Sequence, residues 1–156
     1  HLILRTSWVY SAHSGPSGNF ARTMLKLAAE REQLKVVNDQ FGAPTGAELL
    51  ADVTAHAVQR VRAAPELAGT YHCVAAGEAS WFDYARHVIE WARAAGVPLK
   101  LPSDGLLPVP SSEFPTPAAR PLNSRLSTRK LRDTFGLMPP VWTAGVERML
   151  AEVHGR

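Results

Sequence analysis

The chain has 156 residues, 46% of them hydrophobic, which is enough to bury one core but short for an enzyme with separate cofactor and substrate domains. Its 17 basic and 14 acidic residues leave a net charge of +3, dispersed with no basic block, which speaks against a nucleic-acid interface. No apolar run approaches the roughly 20 residues that cross a bilayer and no secretory signal is visible, while the single cysteine, Cys73, can form no internal disulfide and reads as a buried hydrophobe in a reducing cytoplasm.

The chain opens at His1 rather than at a methionine, so a processed product or a fragment is expected. "LILRTSWVY" (residues 2–10) reads as one strand covered on both faces, as in a parallel α/β sheet. Gly15, Pro16 and Gly18 then break the chain, and apolar residues at helical spacing from Phe20 predict a helix capped by Asn19. "LKVVND" is a short strand, and an alanine-rich helix is expected from Ala47 to Ala63, closed by Pro65 and Gly69. "TYHCVAAG" is a further buried strand, followed by a long helix with Ser80 at its N-cap and Gly96 at its end. Seven prolines between Pro98 and Pro121 leave that stretch extended or turning. Two helices finish the chain, Leu126 to Phe135 and Trp142 to Val153. The alternation of strand and helix predicts an α/β fold with parallel crossovers, a few short strands and about five helices. The first and third strands call for neighbours that the rest of the sequence hardly supplies.

Motifs of known chemistry are sparse. "GPSGNF" is the nearest approach to a dinucleotide-binding turn, with Asp39 about 20 residues on, but it has two glycines and a proline and reads as a plain loop. His13, His56, His72 and His87 are scattered singly, without the paired spacing of metal ligands. Trp81, Phe82, Tyr84 and Trp91 along the long helix read as packing residues. Trp8 differs, because it opens a polar loop directly after a strand, where open α/β sheets put ligand contacts. Arg120, in the proline-stiffened "PAARPLNS", offers a planar fork suited to phosphate oxygens.

The order of "ILRTSWVYS", "VVNDQFGAPT", "ASWFDYAR" and "RPLNSRL" resembles the C-terminal half of the dTDP-4-dehydrorhamnose reductases, extended short-chain dehydrogenase/reductases, over about residues 2 to 150. The resemblance implies the substrate-binding portion of an NAD(P)-binding Rossmann-like enzyme, with strands near residues 2–10 and 69–75 completing its sheet. It also implies reduction of a dTDP-linked 4-keto-6-deoxy sugar by NADPH or NADH, with a tyrosine as proton donor and a lysine four residues on lowering its pKa. No YxxxK exists here: Tyr10, Tyr71 and Tyr84 are followed four positions on by Ser14, Ala75 and Val88. No catalytic residue is therefore assigned to this chain, and alone it is expected to be inactive. By resemblance Thr6 and Ser7 line the nicotinamide, and Trp8, Asn19, Gln40, Pro44 and Thr45 the substrate, while Arg120 pairs with the diphosphate. Some relatives dimerise through carboxylates and a metal, but those carboxylates are not matched here. Exposed strand edges make self-association an expectation. Two alternatives stand beside the reductase: a non-catalytic subunit resembling the regulatory subunit of methionine adenosyltransferase, and another nucleotide-sugar reductase or epimerase.

Overall fold

The computed structural model describes residues 1–13, 15, 18–114 and 120–155. Among these described residues the fold is α/β, with five α-helices and short, mostly parallel strand pairs. The strands are β1 (Leu2–Arg5), β2 (Val9–Tyr10), β3 (Leu34–Val37), β4 (Phe41–Gly42), β5 (Thr45–Gly46), β6 (Gly69–His72), β7 (Ala79–Ser80) and β8 (Leu106–Val109). The helices are α1 (Phe20–Glu30), α2 (Ala47–Ala63), α3 (Trp81–Ala94), α4 (Arg129–Phe135) and α5 (Trp142–Val153). β1 pairs with β6, β2 with β5 and β3 with β8, all parallel, whereas β4 and β7 run antiparallel.

The expected single strand over residues 2–10 is in fact two. Trp8 has a φ of 51°, in the left-handed region, and this turns the chain between β1 and β2. Nor is β1 covered on both faces: Leu2 and Leu4 pack inward, while Ile3 is 45% exposed. The first and third expected strands pair with each other, Leu2 opposite Gly69 and Arg5 opposite His72. The short helix begins at Arg129 rather than Leu126. In the proline-rich stretch, β8 accommodates Pro108 opposite Val36, at an edge where its missing N–H breaks no ladder. Residues 115–119 lie outside the described residues.

Local chemistry sets the helix starts. Asn19 accepts a hydrogen bond from the Arg22 N–H at 3.0 Å and so caps α1. Ser80 caps α3 through a capping box, its hydroxyl oxygen accepting from the Asp83 N–H at 3.0 Å while the Asp83 carboxylate accepts from the Ser80 N–H, also at 3.0 Å. Gly96, at φ +71°, follows the end of α3 in the left-handed conformation that terminates a helix.

The largest cluster packs α1, α3 and α5 around Tyr10, with Met24, Tyr84, Val88, Val146 and Leu150 at its centre. A second gathers Val53, Ala57, Tyr71, Cys73, Leu131 and Phe135, joining α2 and α4 to the β1–β6 pair. Cys73 is wholly buried there, as its apolar surroundings led one to expect.

Removing the cap should cost less than removing core volume. Ser80→Ala is expected to lower unfolding free energy by about 1 kcal/mol, and Leu150→Ala, in a fully buried position, by about 2–5 kcal/mol. Urea denaturation of both variants checks the order.

Candidate functional site

The site is organised by a pair of tryptophans. The rings of Trp8 and Trp81 stack with centroids 3.8 Å apart and planes 14° from parallel. Trp81 is the first residue of α3 and Phe20 the first of α1, so the two N-caps bring both aromatics to one place, 4.7 Å between ring centroids. Trp8 reaches this stack from its left-handed backbone, where its carbonyl accepts from the Thr45 N–H at 3.1 Å. Gly42 is required beneath it, because a Cβ at that position would lie 2.6 Å from Trp8 Cε2.

Trp8, Trp81 and Phe20 border two cavities. The larger, about 730 Å³, is lined by these aromatics with Lys35, Val37, Gln40, Phe114, Arg120 and Ser124. The smaller, about 410 Å³, takes in Asn19, Ser11, Tyr10 and Tyr84. Three of the sequence-predicted residues, Trp8, Gln40 and Arg120, thus meet at the larger cavity, and Asn19 lines the smaller one. Asn19 is already engaged: its Oδ1 caps α1 and its Nδ2 donates to the Ser11 carbonyl at 2.8 Å.

Pro44 and Thr45 line neither cavity. Both are fully buried, and Thr45 Oγ1 donates to the Ala43 carbonyl at 2.9 Å and accepts from the Ala75 N–H at 3.2 Å, which places the pair beneath the wall. Thr6 is exposed beside the site, and Ser7 Oγ donates to the Ser124 carbonyl at 3.1 Å. Trp81, read from sequence as a packing residue, does pack against the main core cluster and also forms the wall; the signal for the second role was present in Ser80, which caps the helix and so fixes the residue that follows.

Arg120 is exposed at the cavity's edge and, among the described residues, has no ion-pair partner, whereas Lys35 on the same cavity pairs with Glu113 at 3.6 Å. The segment after Arg120 is pinned across Phe41. The Phe41 N–H donates to the Leu122 carbonyl at 2.9 Å, and the Ser124 N–H donates to the Phe41 carbonyl at 2.8 Å. Arg125 lies 4.6 Å from the Phe41 ring centroid and holds Glu78 at 2.6 Å. An aromatic wall with an unpaired guanidinium at its rim suits a ligand having a flat ring and an anionic group.

Two tyrosines near the wall are poor proton donors. The Tyr10 hydroxyl is pushed up to about 12 by burial and then by the Glu48 carboxylate, and burial pushes Tyr84 up as well. A tyrosine that gives up its proton readily needs a shift in the opposite direction.

Residues 1–154 match the family model described as RmlD substrate binding domain. The chain belongs to that family. The dTDP-4-dehydrorhamnose reductase of Escherichia coli K12 is 58% identical over 153 residues, 98% of this chain and 50% of that protein. Among solved structures, a dTDP-4-dehydrorhamnose reductase from Clostridium acetobutylicum superposes with a TM-score of 0.81 at 31% identity, covering 98% of this chain and 49% of that one. One from Bacillus anthracis, solved in complex with NADP, gives 0.75 at 36% identity, covering 97% and 48%. This RmlD-type domain therefore spans about half the length of the relatives it matches.

Gly42→Ala should displace Trp8 from Trp81. The expected outcome is loss of the near-ultraviolet circular dichroism of the stacked indoles with helical content retained in the far ultraviolet.

Proposed function

We propose that this chain is the substrate-binding half of a dTDP-4-dehydrorhamnose reductase, which reduces dTDP-4-dehydro-L-rhamnose to dTDP-L-rhamnose with NAD(P)H. The observation that carries this reading is the meeting of Trp8, Gln40 and Arg120, which has no ion-pair partner among the described residues, at one cavity of about 730 Å³, in a chain whose relatives bear that name. In this reading the nucleotide lies against the aromatic wall, and Arg120 pairs with the diphosphate through charge-assisted hydrogen bonds. The sugar reaches across Trp8 toward the cavity that Asn19 lines, with the buried Pro44 and Thr45 supporting that wall from beneath without lining the cavity.

NAD(P)H supplies the hydride when bound. By the family resemblance its nicotinamide end would lie at Thr6 and Ser7, which directly precede Trp8, while the sequence holds no glycine-rich turn for the pyrophosphate. The chain's own contribution is to bind and orient the sugar nucleotide and to shield its reacting carbon from water. The proton donor comes from outside these residues, in keeping with the raised Tyr10 and Tyr84 hydroxyls and the missing YxxxK. The β1–β6 pair would add to the Rossmann sheet of the other half, giving the open Ile3 face of β1 a cover. Lacking that cover, the chain is expected to self-associate at high concentration; a stable monomer in light scattering contradicts this.

Calorimetric titration with dTDP and with thymidine tests the site. Loss of a hydrogen-bonded charge is worth about 1.5–3 kcal/mol, so Arg120→Ala should weaken dTDP about tenfold or more and leave thymidine unchanged. Absence of dTDP binding, or equal affinity in the variant, refutes the reading.

A further inference from the structure

A chain of side-chain hydrogen bonds runs from the cavity-lining Trp81 and Gln40 back to two residues that line neither cavity. Trp81 Nε1 donates to Gln40 Oε1 at 3.3 Å, and Gln40 Nε2 donates to Ser111 Oγ at 2.9 Å. Ser111 Oγ donates to Asp39 Oδ1 at 2.5 Å, and the Ser111 N–H lies 3.0 Å from each oxygen of the same carboxylate. Asp39 stands just past β3, and Ser111 opens the 3-10 turn just past β8. The bonds therefore tie the ends of two paired strands to the first turn of α3.

The direction of this chain is forced. An indole N–H only donates and an ionised carboxylate only accepts. The Ser111 hydroxyl and backbone N–H together hold the Asp39 carboxyl below its ordinary range. Ser111 has one hydroxyl hydrogen and Asp39 takes it, so its oxygen can only receive from Gln40. Gln40 must then turn its NH2 to Ser111 and its carbonyl to Trp81. A flipped amide would set NH2 against the indole N–H and lose the bond on each side.

We propose that Asp39 and Ser111 are positioning residues for the ligand-facing wall: they orient the Gln40 amide, which fixes the azimuth of Trp81 and with it the stack on Trp8. Neither residue lines either cavity beside that stack. The amide hydrogen and the carbonyl lone pair that Gln40 has left over are thereby offered in one set orientation. The effect on ligand affinity rests on the proposed nucleotide site; the hydrogen-bond chain itself does not.

The test follows the Trp81 indole N–H in ¹H–¹⁵N spectra of the whole chain, whose four tryptophans give four such signals, with Trp81→Phe to assign it. Asp39→Asn, which can donate to Ser111 and so removes the forced direction, and Ser111→Ala should both move that resonance upfield. A neutral hydrogen bond is worth about two- to tenfold in an equilibrium constant, so both should weaken dTDP by that factor. Ser111→Thr, which keeps the hydroxyl, should restore the resonance and the affinity. An unmoved Trp81 signal in both variants overturns the proposal, as does a moved signal with unchanged dTDP affinity. Failure of the unaltered chain to bind dTDP would strike the nucleotide reading, while the indole shift would still decide whether Asp39 and Ser111 hold Trp81.

Discussion

The backbone of Trp8 is the constraint on which the site depends. A left-handed conformation costs an L-residue roughly 1–2 kcal/mol, and three groups far away in sequence make it tenable here. Thr45 donates its N–H to the Trp8 carbonyl, Trp81 supplies a stacking partner at 3.8 Å, and Gly42 leaves the space that the indole fills. Were residues 2–10 one regular strand, successive side chains would alternate between faces and Trp8 would not turn toward α3. Strain at a cavity wall, over-determined by its surroundings, is the pattern expected where geometry serves binding.

Two helices meet this turn at their first residues. Because Asn19 and Ser80 end their own segments by accepting the orphan N–H groups of α1 and α3, Phe20 and Trp81 emerge at fixed directions with little room to rotate. The packed interior of α1, α3 and α5 then carries the aromatic cluster through to Tyr84 and Trp142. Along the opposite rim, the described residues 120–128 form no helix or strand and are held by bonds to Phe41 and the ion pair between Arg125 and Glu78. A packed aromatic wall thus faces a segment pinned at Leu122, Ser124 and Arg125, which brings Arg120 to the same cavity.

What could be read from the sequence was what local chemistry decides. The bounds of α2 and α5 and the caps Asn19 and Ser80 follow from the residues within one turn, and the order of the family's motifs is itself a linear property. Trp8 could be singled out by its position after a strand, but its left-handed turn could not, since Gly42, Thr45 and Trp81 become its neighbours only on folding. Pro44 and Thr45 carry family resemblance without touching a cavity, because residues that shape a wall from beneath leave the same mark in sequence as residues that line it. Strands of two residues, such as β4 and β7, owe their existence to their partners and have no pattern to detect.

Cys73 adds a temporal dimension to this picture. It is wholly enclosed among Val53, Ala57, Tyr71, Leu131 and Phe135, its N–H donates to the Arg5 carbonyl at 2.8 Å, and burial pushes its thiol up to about 11. A thiol reagent needs both access and the thiolate, so the native molecule can be modified only in the moments when the lobe of α2, α4 and the β1–β6 pair comes apart. As the sole sulfhydryl in the chain, it is a built-in clock for the breathing of that lobe, separate from the cluster of α1, α3 and α5 that supports the tryptophan wall.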